Sequence, residues 1–310
     1  MKGNQSRFDG ICVIKSNLPG LRLELKGRER IRGSPRANPG CNSIARRSPL
    51  SESTQPGPSE ADYSQWQAQD YFKTYYSEVV LPDEQVVLAY QVETLKRAEH
   101  KFGRGLEYGC GPTLHRAIAA ARYAFRIDMA DWLPDNLTEV QAWVNSTGTN
   151  DDWNRFTHYI LACEGEAPDA RRIERREEQT RKVIRNLHVS DARWRHPLGP
   201  DRQGFYDLLV SGFCLDAVSS DKRVWHRCMC NVLSTLHEGG LLILHSLYRC
   251  KAYKVGERMF PGADLSEDDL VESLACNGFA RSSIDVHVIP CPDNAQYGYA
   301  GILVASARKG

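Results

Sequence analysis

Glu107, Gly109, Gly111 and Asp131 are the residues whose types and spacing could do chemistry. Gly105-Leu106-Glu107-Tyr108 reads as a short strand, and Gly109-Cys110-Gly111-Pro112-Thr113 follows it as a tight turn. Two glycines leave that turn without Cβ atoms at the carboxyl end of a sheet, the edge where open α/β sheets bind ligands. Asp131 comes 22 residues after Gly109, at the end of the next expected strand. A carboxylate there can accept hydrogen bonds from both hydroxyls of a ribose. Two cofactor classes share this arrangement, the nicotinamide dinucleotides and S-adenosylmethionine. A dinucleotide wants a third glycine where this chain has Leu114, and its pyrophosphate wants a free amide where Pro112 has none. Adenosylmethionine has no phosphate, and its sulfonium and amino group favour an acid such as Glu107 nearby. The residues therefore favour adenosylmethionine, with an NAD-dependent oxidoreductase as the weaker reading.

Those residues need a sheet to hold them. Apolar positions at helical spacing predict a helix over 83–102, and the Ala-rich stretch 114–124 predicts another behind the glycine turn. Phe125 to Ala130 reads as a strand, 135–145 as a helix behind Pro134, and the charge-dense stretch 168–186 as a solvated surface helix. Tyr206–Ser211 is a buried-type strand. Residues 221–237 read as a helix closed by His237-Glu238-Gly239-Gly240, and Leu241–His245 as the next strand, apolar enough for burial on both faces. Helix 266–277 precedes two final strands, Ser283–Ile289 and Tyr299–Ala305, adjacent in sequence and so a terminal hairpin. Alternating strands and helices argue an α/β fold, a mostly parallel sheet with helices on both faces and one antiparallel strand.

With the elements in place, the motifs resemble a known family. Glu107-Tyr108-Gly109-Cys110-Gly111-Pro112-Thr113, Asp131-Trp132-Leu133-Pro134-Asp135-Asn136-Leu137 and Cys214-Leu215-Asp216-Ala217 are similar to the nicotinamide, phenylethanolamine and indolethylamine N-methyltransferase group. Asp70-Tyr71, Tyr75-Tyr76, Glu164-Gly165, Tyr253, Gly256-Glu257 and Phe260 extend the likeness from about Tyr63 to the C-terminus. The resemblance implies the Rossmann-like class I methyltransferase fold, with a seven-stranded sheet, and S-adenosylmethionine as cofactor. It implies that Tyr71 and Tyr76 close over the cofactor, that Gly109, Gly111 and Thr113 line its methionine half, and that Asp131 and Asn136 hold the adenosine. The family's Asp-Val pair against the adenine corresponds here to His188-Val189, with Asp191 near enough to substitute. Cys214 and Tyr253 fall on the acceptor side. His245 falls there too, where the amine-methylating relatives have an acid. A histidine with an ordinary pKa near 6.5 can orient an acceptor or take its proton. His245 is thus the expected catalytic residue, with an acceptor that is neutral or bears its own carboxylate. The expected reaction is direct in-line transfer to a small molecule, most readily to nitrogen. An oxygen acceptor using His245 as base, and a module without catalysis, are the alternatives.

Composition bounds the rest. The chain has 310 residues, 41% hydrophobic and 25% charged, with a net charge of +1, so no overall field recruits nucleic acid or anionic lipid. No apolar run reaches the length of a membrane span. Asp9 and Lys15 interrupt any signal-peptide core, and ten cysteines at irregular spacings read as reduced thiols in a cytoplasm. Cys228 and Cys230, two apart on a helix, face away from each other, and no metal is expected. Residues 1–60 hold eleven Lys/Arg against five Asp/Glu, with clustered Pro, Gly and Ser. They read as a disordered arm before a single domain over 61–310. Residues 63–80, rich in aromatics, read as a lid over that domain's site, and a monomer is expected.

Overall fold

The computed structural model describes residues 11–15, 22–26, 62–76, 78–147, 152–299 and 301–310. Strands β1 (Ile11–Lys15) and β2 (Arg22–Lys26) pair as an antiparallel hairpin. The rest of the expected arm lies outside the described residues.

Helix α1 (Ala68–Tyr75) and helix α2 (Pro82–Arg97) precede the sheet. Pro82 starts α2 with φ already set for a helix, while Asp83 and Glu84 in its first turn and Lys96 and Arg97 in its last complement the helix dipole. Then come β3 (Gly105–Tyr108), α3 (His115–Ala120), β4 (Ile127–Asp131), α4 (Pro134–Val144), α5 (Asn154–Cys163), α6 (Ala170–Val183) and β5 (Ile184–Val189). The second half holds β6 (Tyr206–Gly212), α7 (Lys222–Leu233), β7 (Leu236–Leu247), β8 (Ala252–Val255), β9 (Arg258–Pro261), α8 (Glu267–Cys276), β10 (Asp285–Pro290) and β11 (Gly301–Arg308).

Seven strands form one sheet in the order β10-β11-β7-β6-β3-β4-β5. The five from β7 to β5 run parallel, and β11 runs antiparallel to both its neighbours. This is the class I methyltransferase sheet, with the terminal hairpin the sequence led us to expect. Side chains alternate across it. Leu208, Val210 and Ile243 face Leu88, Leu95 and Ile118, while Leu209, Leu242 and Leu244 face Trp225, Met229, Leu270 and Leu274.

Several boundaries differ from expectation. Helix α2 ends at Arg97 and not at residue 102. Helix α7 stops at Leu233, and His237-Glu238-Gly239-Gly240 is not its cap but a bulged entry into β7, with Gly239 at φ +81°. Strand β5 follows α6 without a break, and α5 and the β8–β9 hairpin were not foreseen. Trp143, Trp153 and Trp225 are buried, while Trp194 is half exposed and meets Trp132 edge-on. Among the described residues no helix is long and apolar enough to cross a membrane.

Candidate active site

The carboxyl ends of β4, β3 and β6 frame a cavity of about 440 Å³, a volume typical of cofactor and small-ligand sites. Gly109, Cys110 and Gly111 line it, with φ of +71° and +60° at the two glycines, a region L side chains avoid. A Cβ on Gly109 would meet Cys214 Sγ at 2.0 Å. Asp131, at the end of β4, holds this turn. Its Oδ2 accepts from the Gly111 amide at 2.8 Å, and its Oδ1 accepts from the Leu133 amide at 2.9 Å and the Asn136 side-chain amide at 3.0 Å. Burial pushes the Asp131 carboxyl up, and these donors oppose the shift.

The N-terminal segment covers the opening. Asn136 Oδ1 accepts from the Trp66 indole at 3.1 Å, and the Tyr63 hydroxyl donates to the Ala217 carbonyl at 2.9 Å. Tyr63 stacks on Phe260 of β9, and Tyr75 donates to the Lys254 carbonyl of β8 at 2.5 Å. The two elements outside the main sheet therefore grip each other across the mouth.

Tyr71, Phe213 and Tyr253 line both this cavity and a second one of about 40 Å³. The smaller cavity adds Tyr75, Tyr76, Tyr299 and two carboxylates, Asp83 and Glu84, from the first turn of α2. Asp83 Oδ2 accepts from Asn294 at 2.8 Å and from the Tyr299 hydroxyl at 2.7 Å, and burial pushes its carboxyl up. Glu84 Oε1 lies 2.5 Å from His115 Nε2 and 3.3 Å from Arg116 Nη2. Against the burial penalty, Arg116 and His115 hold the Glu84 carboxyl down at about 2. Burial and the Arg116 charge hold His115 at about 4, so its ring is neutral at pH 7.

The profile described as the NNMT/PNMT/TEMT family matches residues 58–310. The chain belongs to this family. It is similar to phenylethanolamine N-methyltransferase of Sus scrofa, 28% identical over 191 residues, which cover 61% of this chain and 66% of that protein. Indolethylamine N-methyltransferase of Mus musculus is 24% identical over 249 residues, covering 78% of this chain and 92% of that protein. Among solved structures, N-methyltransferase NodS from Bradyrhizobium japonicum WM9 aligns at 15% identity and a TM-score of 0.43, over 71% of this chain and 93% of that one.

As a family member the chain is a methyltransferase, and its cofactor is S-adenosylmethionine. The large cavity fits that cofactor. It offers a cradle that a Cβ would fill, a buried acid beside it, aromatic rings above it, and a turn whose Gly109, Cys110 and Gly111 amides are already taken by the Ala130 carbonyl and Asp131.

Tyr71, Gly109, Gly111, Asp131, Asn136, Cys214 and Tyr253 line the large cavity, and Tyr76 lines the smaller one. Thr113 lines neither, since its hydroxyl donates to the Cys110 carbonyl at 2.7 Å and closes the glycine turn. His188 and Val189 also stand outside. His188 turns to Asp128, with Nε2 3.6 Å from Oδ2, and Val189 is 51% exposed. β5 pairs Val189 with Asp131, so the wall beyond it is built by the loop after the strand, where Ser190, Asp191 and Ala192 face the cavity. An acid-apolar pair, Asp191-Ala192, thus faces the cavity where His188-Val189 was expected to. Glu107 lies beneath the sheet edge against α3, not in the cavity. Trp66 and Phe213 were not anticipated. Trp66 sits in the aromatic-rich segment expected to cover the site, which was the available signal for it.

His245 lines neither cavity. It shares a face of β7 with Ile243 and Leu247, opposite Val304 of β11, and its ring packs behind Phe213 and against Tyr90. Burial and the nearby Arg116 charge hold its pKa down at about 3. The sequence reading placed His245 on the acceptor side, whereas neither cavity is lined by its ring.

Asp131→Ala is expected to weaken binding of S-adenosylhomocysteine by about 2–3 kcal/mol, the scale of lost charge-assisted hydrogen bonds. Calorimetry on the folded variant checks this, and an unchanged Kd would remove Asp131 from the cofactor site.

Proposed function

We propose that the protein transfers the methyl group of S-adenosylmethionine to the nitrogen of a small amine by direct in-line displacement. The observation that carries this is the shared wall of the two cavities. Tyr71, Phe213 and Tyr253 face both, and the smaller one combines tyrosine rings with Asp83 and Glu84. Aromatic faces and carboxylates together favour an ammonium ion over an anion or a neutral phenol. The bound cofactor supplies an activated methyl on sulfur. The chain's own residues hold the acceptor nitrogen in line and keep water out, which is most of what the reaction requires.

An amine that enters as ammonium must lose a proton before it attacks. Asp83 lines the smaller cavity, where its carboxylate can take that proton, and burial pushes it up from its ordinary value. Labelled methyl donor and a panel of primary and secondary amines, phenols and amino acids test the reading. Amines are expected to be methylated, and Asp83→Asn to lower kcat/KM by about 10²-fold, while His245→Ala stays within about tenfold of the parent. Turnover of phenols alone, lost in His245→Ala, would restore His245 as a base and reject the amine.

On the same reading residues 62–76 act as a lid that must open for cofactor exchange. Cleavage near Lys73 by trypsin is expected to slow when S-adenosylhomocysteine is added. Equal rates with and without ligand would remove the lid.

A further inference from the structure

The ion pair Glu84–Arg116 stands between the two cavities and presents opposite charges to them. Arg116, 2% exposed, lines the large cavity and not the small one, and Glu84, 5% exposed, lines the small one and not the large. Arg116 Nη2 is 3.3 Å from Glu84 Oε1, while Arg116 Nε is buried with no hydrogen-bond partner. Gly212, at the end of β6, makes room for this guanidinium, since a Cβ there would meet Nε at 2.3 Å and Cζ at 2.8 Å. The Phe213 ring, 5.4 Å from Cζ, covers one face.

Sheet order then gives the large cavity a direction. Asp131 and Asn136 follow β4, the glycine turn follows β3, and Gly212 with Arg116 lies at β6, on the other side of β3 from β4. If the ribose lies at Asp131, the aminoacyl end of the cofactor lies towards β6. The other cation lining the cavity, Arg193, is engaged by Asp191 through Nε at 3.0 and 2.9 Å and Nη2 at 2.7 Å. Arg116 is left with a buried donor and a positive charge at the aminoacyl end.

We propose that Arg116 binds the α-carboxylate of the cofactor's methionine moiety, with Glu84 as the counter-charge that faces the acceptor. The inference rests on the adenosylmethionine reading and goes beyond it by assigning a carboxylate site to a residue outside the glycine turn. A charge-assisted, desolvated contact of this type is worth about 10- to 100-fold in affinity.

Calorimetry with S-adenosylhomocysteine and its decarboxylated analogue, which keeps the amine and adenosine but lacks the carboxylate, reads that contact directly. The parent is expected to prefer the carboxylate ligand by about 10- to 100-fold. Arg116→Gln should bring the two within about threefold, by weakening the first and sparing the second, and Arg116→Lys should keep part of the preference. Arg116→Gln leaves Glu84 buried without its cation and so risks misfolding. The double variant Glu84→Gln/Arg116→Gln removes both charges and gives the same readout. A preference unchanged in either variant overturns the proposal. So does a variant that keeps the preference but raises KM for amino-acid acceptors relative to simple amines, since Arg116 would then read the acceptor's carboxylate. A parent protein that binds neither ligand rejects the cofactor reading itself, which separates the two failures.

Discussion

Gly109→Ala is expected to destabilise the fold by about 2–5 kcal/mol and to weaken S-adenosylhomocysteine binding at least about 100-fold. Two independent costs add at this position. The residue has φ +71°, where an alanine pays left-handed strain of about 1–2 kcal/mol. Its new Cβ would also stand 2.0 Å from Cys214 Sγ and 2.2 Å from Cys214 Cβ, so Cys214 or the turn must move. Both are cavity walls, and either movement displaces the cradle that approaches the cofactor. Gly111→Ala is the internal control. It carries the same kind of strain at φ +60°, but its Cβ would find only the Tyr71 ring, at 3.8 Å. Thermal unfolding and calorimetry should therefore rank the parent above Gly111→Ala and Gly111→Ala above Gly109→Ala. Adding Cys214→Gly to Gly109→Ala should recover the overpacking share and leave the strain. Equal behaviour of the two alanine variants would show that Cys214 does not brace the turn.

What the sequence revealed and what it hid follow from how local each feature is. The glycine turn and Asp131 are local. Two glycines and an acid at a fixed spacing place themselves once strands flank them, and Asp131 indeed ties back to Gly111 through a 2.8 Å hydrogen bond. The terminal hairpin was legible for the same reason, as two apolar runs adjacent in sequence. The end of β5 was not. Ile184–Val189 is an edge strand with three of its six residues exposed and one buried, following a charge-dense helix, so no alternation marks where it stops. The pair expected against the adenine was consequently read at His188-Val189, three residues before Asp191 and Ala192, which line the cavity. The smaller cavity was hidden more deeply. Asp83 and Glu84 look like ordinary first-turn acids on α2, and only the packing of α2 against α3 and the sheet turns them inward. Arg116 and His115, on α3 just behind the glycine turn, are buried for the same tertiary reason. His245 shows the converse error. It was read at the end of its strand, but β7 runs on to Leu247, so His245 lies inside the sheet opposite Val304, with the Phe213 ring beside it.

Glu107→Gln is expected to stabilise the protein at pH 8 by a few kcal/mol relative to its effect near pH 5. Both Glu107 carboxylate oxygens are buried without a hydrogen-bond partner, in a niche bounded by Arg116, Ala117, Ala120, Leu208 and Val210. Burial raises its pKa from 4.5 to about 8, and Arg116 offsets only part of that rise. Between those two values the folded protein holds a proton that the unfolded chain releases. Stability must then fall as pH rises from about 4.5 to about 8, and level off above. Glutamine mimics the protonated acid and cannot ionise, so the difference between variant and parent should grow across that window alone. Glu84 runs the other way. Held at about 2, it adds stability that is complete above its ordinary 4.5 and is lost as the pH falls towards 2, so the two windows do not overlap. The windows of His115 and His245, which run from about 4 and about 3 up to the ordinary 6.5 of the unfolded chain, do overlap the lower part of the Glu107 window. They are common to parent and variant and cancel in the difference. Denaturant unfolding of both proteins at three pH values measures it. The protonation state of Glu107 also bears on the guanidinium beside it. With Glu107 neutral, Arg116 is paired directly with one buried carboxylate, Glu84, and keeps the capacity to hold a second in the cofactor's carboxylate. If Glu107→Gln instead destabilised the protein equally at every pH, Glu107 would be ionised in the fold and paired with Arg116, and the site would already carry its full complement of negative charge.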